Sequence, residues 1–167
     1  NYLLIIVGYF FSVLTKKNIT IGLPYAFSFE PTNICNLKCP ECPSGKGNLN
    51  RKKGVTSFND FKNIIDKIKN HCIYLNLYFQ GEPFLNNNLS EMIAYAVKNK
   101  IFTAVSTNGH FIDENTATNI INAGLGRLII SLDGASQESY EQYRKGGDFN
   151  KVISGIKTII NTRKKLK

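Results

Sequence analysis

Three cysteines, Cys35, Cys39 and Cys42, stand in the spacing C-x-x-x-C-x-x-C, in a stretch rich in Pro, Gly and Asn. Three thiolates on one short loop can face one metal centre. Iron–sulfur clusters take thiolate ligands, usually four per cluster. A contiguous motif that supplies three leaves one iron open to a non-protein ligand, the coordination a reactive cluster needs. Structural zinc is the rival, with Cys72 or His71 closing the tetrahedron, although zinc loops usually bring ligands in closely spaced pairs. Thiols without a metal are the third reading, and the spacing alone leaves all three open. Taken singly, Cys72 reads as a small buried residue at a strand edge. His71 reads as a solvent-facing residue at the strand start.

Four apolar runs must position this loop. Ala26 to Pro31 reads as a short buried strand, and Ile73 to Phe79 as an aromatic-rich alternating one. Ile101 to Ser106 and Arg127 to Leu132 read as the third and fourth strands. Helical periodicity fills the gaps. Ser57, Ser90, Asp113, Ser136 and Asp148 are the expected caps, and the Cys35 to Asn50 stretch reads as a long loop. Alternating strand and helix implies parallel strands with right-handed crossovers, hence the α/β class. Each strand also ends in a polar cluster: the Cys loop, Gln80-Gly81-Glu82-Pro83, Thr107-Asn108-Gly109 and Asp133-Gly134. Functional residues at successive strand ends are the habit of a TIM-type barrel, whereas open doubly wound sheets concentrate them at one switch point.

At this point the sequence resembles a family. Glu30 to Gly45 (EPTNICNLKCPECPSG) is similar to the signature loop of radical S-adenosylmethionine (radical SAM) enzymes. Tyr78 to Pro83 (YFQGEP), Ser106 to His110 (STNGH) and Leu128 to Lys157 follow in the family's order. The last of these resembles the branch that carries a C-terminal SPASM domain. Any one motif is weak, but four in order at strand ends are specific. The resemblance implies a (β/α)6 barrel, of which the first four βα units stand within residues 26–167, after an apolar extension over 1–25. It implies that Cys35, Cys39 and Cys42 hold a [4Fe-4S] cluster whose open iron takes S-adenosylmethionine. It assigns the cofactor pocket to Gly81, Glu82, Pro83, Ser106, Thr107, Asn108, Ser131, Asp133 and Arg144. Glu82 and the backbone around Gly81 would accept from the methionine ammonium. Ser131 and Asp133 would share one face of the fourth strand, and Arg144 would reach the methionine carboxylate. The implied activity is reductive cleavage to a 5′-deoxyadenosyl radical that abstracts hydrogen from a peptide, a protein or a small molecule. A ferredoxin or flavodoxin would supply the electron, in the cytoplasm. Glu41 stands where many members carry an aromatic that meets the adenine.

Composition narrows the alternatives. Hydrophobic residues make up 43% and charged residues 20%, a globular balance that excludes a disordered chain. Four Cys are too few for a disulfide scaffold. The net charge of +9 comes largely from two places: a tail from Arg144 to Lys167, and a loop with Lys46, Arg51, Lys52 and Lys53. Neither is interleaved with aromatics, so no nucleic-acid partner is expected. The loop leaves room for an acidic partner. The competing function class is a non-enzymatic zinc-binding interaction module. The uncharged run Tyr2 to Leu14 falls short of the ~20 residues that span a bilayer. A helix packed on the domain is expected there, with a membrane-surface helix as the alternative.

Overall fold

Local signals set most helix starts in the computed structural model, which describes residues 1–166. Lys167, the last residue of the basic tail, lies outside them. The Ser57 side chain accepts from Asp60 N, Asp113 from Thr116 N and Asp148 from Lys151 N. Each satisfies an N–H that the first turn leaves orphaned. Ser136 and Ser139 form a reciprocal capping box. Ser90 does not cap: the helix starts two residues earlier, with Asn88 as its N-cap. In order, the elements are α1 (Tyr2–Thr15), β1 (Ala26–Ser28), α2 (Pro43–Lys46), α3 (Phe58–Ile68) and β2 (Tyr74–Asn76). A 3-10 turn (Pro83–Leu85) follows, then α4 (Leu89–Lys98), β3 (Phe102–Thr107), α5 (Glu114–Asn122), β4 (Arg127–Ile130), α6 (Gln137–Tyr143) and α7 (Phe149–Lys165).

The four strands form one parallel sheet in the order β1-β2-β3-β4. The α/β class holds. The order never reverses, so there is no switch point of the doubly wound kind, and the sheet is a sector of a barrel wall. Phe61 and Ile65 of α3 and Met92, Ile93 and Ala96 of α4 pack on Leu75 and Val105, all buried. Fully burying each large side chain stabilises the sector by roughly 1.5–3 kcal/mol. The other sheet face carries Ser28, Asn76 and Ser106, and Asn76 Nδ2 donates to Ser28 Oγ. Strands 1, 2 and 4 are shorter than their apolar runs. Their last residues leave the ladder to build the loops described below.

His110 joins the end of β3 to the start of α7. It is buried, its Nδ1 lies 3.0 Å from Asn108 Oδ1, and its Nε2 accepts from Asp148 N at 2.8 Å. That pattern needs a neutral ring with its proton on Nδ1. Burial pushes the His110 pKa down, with Lys151 adding to the effect, against opposing contributions from Asn108 and Asp148. The unfolded chain, at about 6.5, therefore takes up the proton first. Stability is full above about pH 6.5 and falls as pH drops through that value toward the lower folded-state pKa. His110→Gln keeps an acceptor for Asp148 N but cannot titrate. Urea titrations between pH 5 and 7 are expected to show a steeper loss of stability in the wild-type chain than in this variant.

Candidate functional site

The cysteine loop is closed at its base by side chains. Asn33 Nδ2 donates to Lys52 O and Asn33 Oδ1 accepts from Gly54 N, both at 2.8 Å. Thr32 Oγ1 donates to Gly54 O, and Thr32 makes an antiparallel bridge to Val55. Glu30 forms a two-pronged ion pair with Arg51 and accepts from Gln80 N. Two of the four cations in the basic loop are thus already partnered, since Lys46 pairs with Glu41. Inside the loop, Cys42 is the N-cap of α2, with Pro43 at the first helical position. Gly45 lies against Cys39: a Cβ there would sit 2.6 Å from Cys39 N and O.

The GEP turn locks onto this loop. Gly81 has φ +76°, and a Cβ on it would meet Thr32 O at 2.4 Å. The close backbone approach that glycine allows here is to the chain's own Thr32 and Asn33. Glu82 N donates to Ile34 O at 2.8 Å. The Glu82 side chain is 2% exposed. It accepts from Thr107 Oγ1 and Asn108 N at 2.7 Å each, and from Phe84 N at 3.2 Å. Burial pushes its pKa up, while those three donors and the Arg144 charge pull it back. Its carboxylate is committed to the ends of β2 and β3.

Cys35, Cys39 and Cys42 line one cavity with Gly81, Ser106, Asn108, Ser131 and Arg144. Glu82 and Thr107 also line it, Pro83 is buried in the 3-10 turn behind, and Asp133 is not among the lining residues. Asp133 instead pairs with Arg144 Nε. β4 ends at Ile130, so Ser131 and Asp133 lie beyond the strand and its alternation does not place them on one face. Arg144 Nη1 reaches Cys39 Sγ at 3.9 Å, and its guanidinium lies over the Tyr143 ring. Asn108 Nδ2 bonds Asn36 Oδ1 at 2.7 Å and lies 4.0 Å from Cys35 Sγ. Residues missed at the sequence level are Asn36, Ser44, Gly45, Tyr78 and Phe79. Ser44 Oγ donates to Gln80 Oε1 and accepts from Gly81 N. Phe79 lines the cavity while 74% exposed. Only Gly45, a breaker just past the last Cys, left a local trace.

The donor set fits a cluster. All four cysteines are free. Burial pushes the Cys35 and Cys39 thiols up, and neighbouring thiols add repulsion. A cationic metal group would relieve both costs. Among the described residues, no three His, Cys, Asp or Glu side chains converge to hold a single ion. Thiolates spread round a cavity suit separate irons of a cluster. The zinc reading does not assemble. Cys72 precedes β2, at the opposite end of the parallel sheet from the Cys loop, and its Sγ donates to Tyr74 O. His71 packs against Phe27.

Residues 29–165 match the Radical SAM superfamily. The mycofactocin maturase MftC of Mycobacterium tuberculosis is 29% identical over 83% of this chain and 35% of its own length. The AdoMet-dependent heme synthase of Oleidesulfovibrio alaskensis is 30% identical over 77% of this chain and 33% of its own length. The chain thus spans about a third of these relatives. Among solved structures, native anSMEcpe with bound AdoMet superposes with TM-score 0.69 at 25% identity, covering 84% of this chain and 42% of that one. Streptococcus suis SuiB bound to S-adenosylmethionine gives 0.72 at 21% identity, covering 91% and 35%.

Glu82→Gln isolates the buried carboxylate. An amide has one acceptor oxygen, so its NH2 must face either the Asn108 N–H or the Thr107 and Phe84 donors. The variant is expected to lose about 1–3 kcal/mol in urea denaturation of the metal-free chain.

Proposed function

The chain belongs to the Radical SAM superfamily, and from that premise we propose that it cleaves S-adenosylmethionine reductively at a [4Fe-4S] cluster. The observation that carries the reading is the convergence of Cys35, Cys39 and Cys42 on one cavity with the three later strand ends. When bound, the cluster supplies one electron to the sulfonium of S-adenosylmethionine, yielding a 5′-deoxyadenosyl radical that takes hydrogen from the substrate. The chain's residues bind and orient. The three thiolates would hold three irons. With Glu82 committed inward, backbone carbonyls around Gly81 would accept from the methionine ammonium. Arg144, the only basic lining residue among the described residues, would meet the carboxylate. Ser106 and Ser131 offer hydroxyls along the wall. Exposed Phe79 offers an aromatic face for the adenine or the substrate, a role Glu41 cannot fill.

For the substrate we favour a peptide or protein over a small molecule. Its support is the likeness to a protein named a maturase and to structures solved with peptides, anSMEcpe with the Cp18Cys peptide and SuiB with its precursor peptide. The SPASM branch is supported by the Leu128 to Lys157 segment, and it entails a Cys-rich segment in the full-length protein. We propose the cytoplasm as its compartment, with a ferredoxin or flavodoxin as electron donor; four free thiols are in keeping with a reducing compartment.

Anaerobic reconstitution with iron and sulfide is expected to load about four irons and four sulfides per chain. Dithionite and S-adenosylmethionine should then release 5′-deoxyadenosine and methionine. Replacing Cys35, Cys39 or Cys42 by Ala should abolish both, whereas Cys72→Ala should retain them. A colourless protein holding one zinc would overturn the reading. Phe79→Ala should leave iron content unchanged and weaken S-adenosylmethionine or substrate binding.

A further inference from the structure

The helix α1 is built inside out. Its small and polar residues, Asn1, Gly8 and Ser12, recur with Ile5 along one stripe and face the chain's own following strap. Asn1 exchanges two hydrogen bonds of 2.7 Å with the backbone of Leu23. Ser12 Oγ bonds Ile19 N and O. Gly8, the one buried residue of the helix, admits Ile19 and Ile21: a Cβ there would sit 3.0 Å from Ile19 O. The remaining faces carry Tyr2, Leu3, Leu4, Tyr9, Phe10, Phe11, Val13 and Leu14, all exposed, with no charge among them. The helix is held in place by its polar stripe and shows its apolar faces outward. The expected packing of these side chains on the domain is not what the structure shows.

We propose that α1 inserts these faces into the surface of an anionic lipid bilayer. Helices apolar over most of their circumference belong in a core or in lipid. A protein groove or a pairing helix covers a stripe, whereas acyl chains surround. The exposed arc ends in Lys16 and Lys17, both exposed, on a chain of net charge +9, which complements acidic headgroups. Tyr2, Tyr9 and Tyr25 add amphipathic rings of the kind that sit at headgroup level. Exposed Ile21 and Leu23 extend the apolar surface onto the strap. Residues Tyr2–Thr15 present about 21 Å of helix by the rise per residue. Among the described residues no helix is long and apolar enough to cross a membrane. The proposal concerns insertion of these exposed faces into the bilayer surface. α1 also precedes the family-matched residues 29–165, so the inference does not depend on the proposed chemistry.

The chain has no Trp, so Phe10→Trp creates a single fluorescent reporter. Vesicles of phosphatidylcholine with phosphatidylglycerol are expected to shift its emission to the blue, and brominated lipid should quench it. Ile160→Trp, on the exposed side of α7, is expected to show neither. In density flotation the 167-residue chain should rise with these vesicles. Phe10→Asp with Leu14→Asp should stay at the bottom with an unchanged circular dichroism spectrum. Lys16→Glu with Lys17→Glu should lose the preference for phosphatidylglycerol over pure phosphatidylcholine. An unshifted Phe10→Trp emission would overturn the proposal. So would a dimer by light scattering that the double Asp variant splits while the wild-type chain fails to float; that result would assign the face to a second copy.

Discussion

The arrangement depends on one buried carboxylate. An ionised carboxyl taken out of water is costly unless its oxygens are filled. Glu82 meets that demand with donors from two places, Thr107 and Asn108 at the end of β3 and Phe84 in its own turn. The price of burying it is thus offset only when the two strand ends lie side by side. Its backbone N–H goes to Ile34 at the head of the cysteine loop. One residue therefore ties three of the four strand ends together, and Asn108, positioned by it, reaches Asn36 and Cys35.

Around that anchor the loops are pinned by polar contacts. Their backbone groups cannot join the sheet, so side chains and neighbouring turns must satisfy them. Asn33 serves the returning segment at Lys52 and Gly54, and buried Asn86 donates to Pro31 O and Thr56 O. The apolar sector formed by α3, α4, β2 and β3 supplies stability. The polar pins decide where the thiols stand. This division places function on loops while the scaffold beneath stays ordinary.

The sequence was most legible where a choice is local. Ser57, Asp113, Ser136 and Asp148 cap because an N-cap needs only its own next three residues. Ser90 fails because Asn86 Oδ1 already holds Asn88 N, which starts the helix earlier. Strand ends were overextended because an apolar run continues past the last ladder bond. The same error put Ser131 and Asp133 on one strand face. The three thiols were legible from spacing. Asn36, Ser44 and Phe79 were not, because each acquires its place from a partner distant in sequence. The apolar character of the α1 run is plain in the sequence, but its outward orientation is set by Asn1, Gly8 and Ser12, which carry little weight in a hydrophobic pattern.

Arg144 shows how one residue can link the anchor to the chemistry. Its guanidinium is divided between Asp133, the Tyr143 ring and the Cys39 sulfur. The Lys145 carbonyl beside it accepts from Lys38 N, one residue before Cys39, so the segment after α6 is fastened to the cysteine loop. A cation held there favours thiolate at Cys39 against the burial that opposes it. Asp133 is the stronger of the two anionic partners of Arg144, yet its carboxylate is half exposed and lies outside the cavity lining, so water screens that pair. On the proposed reading, a cofactor carboxylate that meets Arg144 would have to displace Asp133, and Asp133 is exposed enough for water to receive it.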